Sequence, residues 1–506
     1  MGKSERRFLT TPIYYASGEP HIGHAYTTIL TDTLARYGRQ TGTDVTFLTG
    51  TDEHGQKMKE AAAEKKTSPK ELADKMAEGF KKAWIDLDIS FDRFIRTTDQ
   101  AHVDLVQDIL IRLWENKEIY SDIYSGWYCI HEERYWTSRE VGGQQLCPDC
   151  KRPVEYVEET NYFFRMGKYQ ERLLSHINKN PNWIIPKTRR NEVLGFLNKP
   201  LEDLSISRPK KRLDWGITLP FDESHVCYVW VDALFSYVTG SSFPSESTKG
   251  PEYNCWPADL QVVGKDILTT HSVYWPTLLM ASNLPLPKKI LAHGWWLSED
   301  AKMSKSMGNV IDPLQLREQF GTDAVRWYLL RDMPTGSDAT FTKERFNTRY
   351  EELANVLGNL ASRTISMIAK YKLGALPSKT ETDLKEELKE TLHKFKQHME
   401  ELQVHSALDV AMDLARKANA YIDQKEPWAM ARDTAQVQSL DTTLATLHRI
   451  LTLLTILLFP VMPEKMSELA RRLGLSTVPT LNNFDVILSE RSKVEEGSPL
   501  FPKDIL

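Results

Sequence analysis

The first forty residues confine the fold more than any other stretch. Phe8 to Tyr14 (FLTTPIY) is short, apolar and β-branched, the pattern of a buried strand. Ser17-Gly18-Glu19-Pro20 is turn material. From His24 to Arg39 apolar residues return at helical spacing (Ala25, Ile29, Leu30, Leu34, Tyr37), and Gly42 is placed to stop the helix. A strand, a turn and a helix so closely joined open a parallel α/β sheet. His21 and His24 stand at the junction, in Pro20-His21-Ile22-Gly23-His24. The free N–H groups and positive dipole end of a helix start favour a phosphate there. Gly23 has no side chain to keep a nucleotide off the backbone.

A second motif, Lys302-Met303-Ser304-Lys305-Ser306, puts two ammonium groups on a short polar segment. Each motif alone has an ordinary reading, as surface histidines at a helix start or as a solvated lysine loop. Together, in this order, they describe a site for a polyphosphate attacked at its α-phosphorus. Such an attack builds negative charge on a pentavalent phosphorus and on departing pyrophosphate. Lys302 and Lys305 supply cations that stabilise this state more than the ground state. Gly294 before the motif and Gly308-Asn309 after it are placed to let the loop open and close.

A chain of 506 residues exceeds one core, so two to four domains are expected. In residues 6–112 strand and helix signals alternate, and Ser68-Pro69-Lys70-Glu71 reads as a capped helix start. Residues 113–225 turn irregular, aromatic and cysteine-bearing, which reads as an insertion. The alternation resumes over 226–290, with Val226–Val231, Leu260–Val263 and Ile290–Ala292 as strands. Residues 291–344 carry the lysine motif. Residues 345–506 are helical to about Leu473 and end in a polar tail from Ser489. The expected fold is a doubly wound, Rossmann-like parallel-sheet domain with an inserted domain, followed by an all-α bundle.

The net charge of −5, from 64 basic and 69 acidic residues, excludes a bulk polycation, so a nucleic-acid partner needs a local basic surface. Arg208-Pro209-Lys210-Lys211-Arg212 and Lys187-Thr188-Arg189-Arg190 are candidates, with solvated loop charge as the ordinary alternative. Five cysteines, odd in number and sparse, argue against a disulfide scaffold and for a reducing compartment. Met1 to Arg7 lead straight into the first strand and leave no room for a signal peptide. The longest apolar stretch, Ile450 to Met462, is interrupted by Pro460 and falls short of a bilayer span. A cytoplasmic protein without a membrane partner is expected.

The two motifs are the HIGH and KMSKS signatures of class I aminoacyl-tRNA synthetases, which this chain resembles. Thr10–Tyr15 (TTPIYY), Gly50–Gly55 (GTDEHG), Val229–Ala233 (VWVDA), Gly264–Ile267 (GKDI), His293–Trp296 (HGWW) and Ala301–Ser306 (AKMSKS) look like the methionyl branch in particular. The resemblance runs from about residue 6 to the C-terminus. It implies a ligase that joins methionine to AMP, releases pyrophosphate, and passes the methionyl group to the 3′ end of tRNA(Met), with Mg2+ accompanying ATP. It assigns catalysis to His21, His24, Lys302 and Lys305, with Gly23 and Ser304 joining them in binding ATP. It assigns methionine binding to Ile13, Asp52, Trp230, Ala233, Tyr237, His271 and Trp275. A carboxylate suits the substrate ammonium, and aromatic edges suit a thioether; the ordinary alternative for the aromatics is core packing. One methylene in an apolar pocket discriminates by only about 1–3 kcal/mol. Synthetases that separate isoleucine from valine therefore add a large hydrolytic domain, and an insertion of about 110 residues is too short for one. This favours methionine over the aliphatic amino acids.

Cys147-Pro148-Asp149-Cys150 is a zinc-type hairpin, but the matching upstream pair is Cys129-Ile130-His131-Glu132, with one cysteine replaced. A site of three thiols with Glu132 or His131, and a site that has been lost, both stay open. By the same resemblance Asn359, Arg363 and Trp428 contact the anticodon, Asn359 and Arg363 on one helical face. Relatives that dimerise do so through a further C-terminal domain, which the chain lacks, so a monomer is expected. Rival readings are a class I synthetase for another amino acid, a small-molecule adenylyltransferase, and a non-catalytic tRNA-binding paralogue. An adenylyltransferase has no need of the helical region, and a binder no need of intact His21, His24, Lys302 and Lys305.

Overall fold

The computed structural model describes residues 5–130, 134–136, 138–148, 150–241, 255–298, 301–302, 311–375, 383–481 and 493–503. Its centre is a seven-stranded sheet. The strands are β1 (Arg6–Thr10), β2 (Tyr14–Tyr15), β3 (Asp44–Asp52), β4 (Arg93–Arg96), β5 (Ile184–Ile185), β6 (Leu260–Gly264) and β7 (Ile290–His293). β3 lies between β4 and β1, with β2 pairing its far end, and β6, β7 and β5 follow on the other side of β1. Every pairing is parallel. The order reverses between β1 and β6, the topological switch point of a doubly wound sheet.

Neighbouring residues on each strand serve opposite faces. Leu9, Phe47, Val262 and Leu291 enter one apolar cluster, and Phe8, Leu48, Val263 and Ala292 enter the other. On the first face lies helix α1 (Ile22–Gln40), which starts two residues earlier than its periodicity predicts. Helix α2 (Pro69–Asp86) begins as read: Ser68 caps it, Pro69 occupies the first turn and Glu71 closes the capping box. Helices α3 (Gln100–Glu115) and α4 (Val229–Ser241) cover the second face, α4 packing on β3, β4 and α3. The strand expected over Val226–Val231 is therefore a correction. Asp222–Cys227 is a strand of a separate antiparallel sheet, and the chain turns helical at Val229. A β-branched run tolerates a helix here because α4 is buried on nearly every side.

The span 113–225 holds a four-stranded antiparallel sheet built on Ile119–Cys129 and Glu155–Phe164. It also contains β5, which completes the edge of the parallel sheet beside β7, so the span is not one continuous insertion. A two-residue strand is set by its neighbour, a long-range pairing that local pattern does not carry.

The first apolar cluster runs without a break from the sheet into the C-terminal helices. Helix α5 (Thr322–Asp332) supplies the polar clamp between them. Arg326, fully buried, pairs with the equally buried Asp32 of α1 at 2.6 Å and donates to the carbonyls of Leu87, Asp88, Pro460 and Val461. Helix α6 (Val437–Leu458) is the centre of the bundle, packed by Asn359–Lys372, Lys385–Glu400, Val404–Lys425 and Pro463–Arg472. With the turn before it, α6 has the length and apolarity to cross a membrane, unlike the shorter stretch read from sequence, but 78% of its most apolar window is buried in the protein. The described part of the tail is a second correction: Leu500 and Phe501 are buried, and Tyr350 Oη donates to the Pro502 carbonyl at 2.9 Å.

Candidate active site

The C-terminal ends of β1, β3, β6 and β7 open on one cleft at the switch point. Ile13, His21, Gly23, His24, Asp52, Trp230, Ala233, Tyr237 and His271 line it, as do Gly264, His293 and Trp295. Residues from five separated stretches of chain thus share one space.

His21 is the N-cap of α1. Its Nδ1 accepts the Gly23 N–H at 3.1 Å, and the Nδ1 of His24 accepts the His21 N–H at 3.3 Å, a capping box made from imidazoles. A backbone N–H can only donate, so both Nδ1 atoms are unprotonated and each neutral ring carries its proton on Nε2. The rings stack at 3.7 Å. The sequence places two histidines here; the fold makes them a pair of Nε2–H donors at the positive end of a helix. A Cβ on Gly23 would stand 2.9 Å from His21 Cε1, so the glycine serves the ring as well as an approaching ligand.

His293, at the end of β7, accepts from or donates to Thr27 Oγ1 at 2.8 Å and donates from Nδ1 to the Gly294 carbonyl at 2.7 Å. Burial holds its pKa below the ordinary histidine value, so the ring is neutral and its Nε2 accepts the Thr27 hydroxyl proton. Gly294 must lack a side chain: a Cβ would lie 2.0 Å from the Ser337 carbonyl oxygen.

The other end of the cleft is apolar. Asp52 closes β3, and α4 presents Trp230, Ala233 and Tyr237, with Trp230 edge-on to Tyr15. His271 rides on a π-helical turn, Thr270–Tyr274. Its Nδ1 donates to the Ile267 carbonyl at 2.9 Å, and its Nε2 accepts from Tyr237 Oη at 2.7 Å. Burial pushes the His271 pKa down to about 4, which fixes the neutral ring. Trp275 is not on the wall. It is fully buried behind it, against Phe235, Tyr237 and Trp256, because every residue of Trp275–Ala281 is enclosed by the core.

Lys302 ends a short strand, Ala301–Lys302, that pairs antiparallel with Trp296–Ser298, directly after the lip residue Trp295. The backbone of Lys302, the first residue of the lysine motif, is thus held next to the strand that follows Trp295. Ser304 and Lys305 lie outside the described residues.

Residues 7–157 and 151–365 match the family model described as "tRNA synthetases class I (M)", and residues 373–498 match "Anticodon binding domain of methionyl tRNA ligase". The methionine–tRNA ligase of Caldanaerobacter subterraneus subsp. tengcongensis is 45% identical over 98% of this chain and 78% of its own length. The chain belongs to the methionyl-tRNA synthetase family. The Mycobacterium tuberculosis methionyl-tRNA synthetase in complex with methionyl-adenylate superposes with a TM-score of 0.93 at 39% identity, covering 99% of this chain and all of that one. The apo form of the same enzyme gives 0.86 at 36% identity, covering 99% and 98%.

A methionyl-tRNA synthetase uses ATP, methionine and tRNA, and the remaining assignments can be placed in this fold. The sulfurs of Cys129, Cys147 and Cys150 lie within 4.8 Å of one another at the end of the long Ile119–Cys129 strand, a donor set compatible with zinc. Glu132 and His131 lie outside the described residues. In the bundle, Asn359 Nδ2 donates to Asn419 Oδ1 at 3.4 Å, Arg363 pairs with Asp423 at 2.6 Å, and the half-exposed Trp428 follows the helix that carries both partners. The three residues therefore sit at one end of one helix pair. Of the two basic runs, the first is largely removed as a nucleic-acid surface. Arg208 is buried in a cage of Tyr128, Tyr135 and Tyr228, and Arg212 stacks over Tyr128 and pairs with Glu159. Arg189 of the second run is held by Glu192 and the Gly336 carbonyl.

Among the lining residues, the sequence gives no reading of Thr27, and it presents Asp266, His293 and Trp295 only as members of motifs. Position at the C-terminal end of a parallel strand, or one turn into the following helix, was the available signal.

Proposed function

We propose that this one cleft performs both half-reactions of methionine–tRNA ligation. Asp52 receives the methionine ammonium, and Ile13, Trp230, Ala233, Tyr237 and His271 enclose the thioether, with Trp275 backing Tyr237. The Nε2–H groups of His21 and His24 meet the ATP phosphates over Gly23, while Lys302, Ser304 and Lys305 bring further donors and cations as charge develops on the leaving pyrophosphate. Magnesium travels with ATP. Methionine's carboxylate oxygen attacks the α-phosphorus, the bond to the β-phosphate oxygen breaks, and the methionyl group then passes to the 3′ end of tRNA(Met). Asn359, Arg363 and Trp428 engage the anticodon by edge contacts and stacking.

A single observation carries this reading. One cleft unites a carboxylate and an aromatic, neutral apolar end with a pair of oriented imidazole donors at a helix start. Cys129, Cys147 and Cys150, with Glu132 or His131, would hold a structural zinc that ties the hairpin to its sheet. The enzyme works as a monomer without a membrane partner, in the cytoplasm; its sparse cysteines, none bridged among the described residues, support that compartment. The test is ATP–pyrophosphate exchange without tRNA, run with each of the twenty amino acids. Exchange with methionine alone supports the pocket. Exchange with another amino acid keeps the reaction and overturns the pocket, and no exchange at all reopens the non-catalytic reading.

A further inference from the structure

Behind the amino-acid end of the cleft lies a buried charge that adenylation does not use. Asp232 sits on α4 between the cleft residues Trp230 and Ala233 and is fully enclosed. Its Oδ2 is 2.6 Å from His54 Nδ1 and its Oδ1 is 2.8 Å from His102 Nε2. The other nitrogen of His102, Nδ1, lies 2.8 Å from Thr239 Oγ1, back on α4. His54 belongs to the loop that opens at Asp52. Between them Glu53 is fixed separately, by both arms of Arg96 at 2.7 and 2.9 Å, and its carbonyl accepts from Trp215 Nε1 at 2.6 Å. Each side chain from 53 to 54 is therefore pinned, the first to β4 and the second to α4.

A carboxylate placed so deep is tolerated only when both oxygens are paired. Burial raises its pKa, and the His54 and His102 contacts more than offset this, leaving it below the ordinary carboxylate value. The arrangement has a mechanical consequence. The carboxylate that receives the ammonium is on β3, and the wall that receives the side chain is on α4. Asp232 spans the two through His54, and His102 and Thr239 keep it from turning away.

We infer that Asp232 is the positioning residue of the amino-acid pocket: it holds the Asp52 loop at a fixed separation from α4, and that separation sets the affinity for an α-amino acid with an unbranched side chain. The inference rests on the pocket reading given above. It assigns His54 a role through its Nδ1–H and not through its ring, which also packs edge-on to Trp215 at 5.5 Å.

The test exploits a geometric coincidence: the amide nitrogen of asparagine falls where Nδ1 of histidine stood. His54→Ala removes the donor and His54→Asn restores it; both lie at the edge of the network, where refolding is least at risk. In methionine-dependent pyrophosphate exchange, His54→Ala should raise KM for methionine about tenfold and leave KM for ATP within about twofold. His54→Asn should return methionine KM to within about threefold of the parent. The inference is overturned by an unchanged methionine KM in His54→Ala, by His54→Asn as impaired as His54→Ala, or by a joint rise of both KM values. Asp52→Asn separates this from the pocket reading. If it too leaves methionine KM unchanged, the pocket assignment fails; if it alone raises it, the pocket stands and the role of Asp232 falls.

Discussion

Replacing Gly23 with alanine should separate stability from activity, and the size of each effect follows from the helix start. The new Cβ would stand 2.9 Å from Cε1 and 3.1 Å from Nδ1 of His21. What it meets is the end of a side chain, so the ring swings aside and the backbone stays. The swing breaks the Gly23 N–H to Nδ1 bond at 3.1 Å and the stack on His24 at 3.7 Å. Loss of a cap costs about 1 kcal/mol, and alanine for glycine inside a helix returns up to about 1 kcal/mol. The two nearly cancel, so Tm should move by no more than about 3 °C. The Nε2–H of His21, however, no longer points where the phosphates bind. One preorganised donor of this kind is worth about 2.7–4 kcal/mol in the transition state, or about 10²–10³ in rate. Thermal melting and the initial rate of methionine-dependent pyrophosphate exchange measure both halves. Exchange within about threefold of the parent would refute the assignment of His21 as an oriented donor. A fall in Tm beyond about 10 °C would refute the claim that the ring yields and the backbone does not.

Three further outcomes follow from buried charge and from the thiols. Arg326→Met leaves Asp32 with Arg36 and Ser90 alone and five carbonyl or carboxylate contacts unmade; it should destabilise by about 3–5 kcal/mol, read as a shifted urea midpoint with an unaltered slope. Burial raises the Asp323 carboxyl to about 7 from 3.8, although Oδ2 accepts the Lys465 N–H at 2.6 Å and Arg326 lies near; Glu464 and Asp88 push the same way as burial. The folded chain keeps this proton where the unfolded chain has lost it, so the stability it contributes is full below about pH 4 and drains away as pH rises to about 7. Asp323→Asn should flatten that slope and raise stability at pH 8 by about 1–3 kcal/mol, and an unchanged slope between pH 5 and 7 would remove Asp323 as its source. Cys147→Ser should abolish metal in a parent that carries about one zinc per chain by elemental analysis; a zinc-free parent would mean the thiols are packing alone.

Much of the fold was readable where local chemistry and global architecture agree. The Ser68 cap, the apolar spacing of α1 and the short apolar runs of β6 and β7 each specify an element from a few adjacent residues. The reading failed where neighbours decide. Val229 to Val231 have strand composition yet lie in a helix because burial all round removes the pressure for alternation. Ile184-Ile185 is too short to announce itself and exists as a strand because β7 offers an edge.

The candidate site divides in the same way. By itself the sequence determined which chemistry is present: two imidazoles at a helix start, a carboxylate at a strand end, aromatics for a thioether and paired cysteines for a metal, since these depend on residue type and short spacing. Tertiary structure alone decided orientation and company. It set the tautomers of His21 and His24 through the capping bonds, withdrew Trp275 and Arg208 into the core, and brought His54, His102 and Asp232 into contact from three distant segments. The physical reason is that burial and hydrogen-bond partnership are set by whatever the packed sheet and helices place on the other side, and a linear spacing carries no record of that.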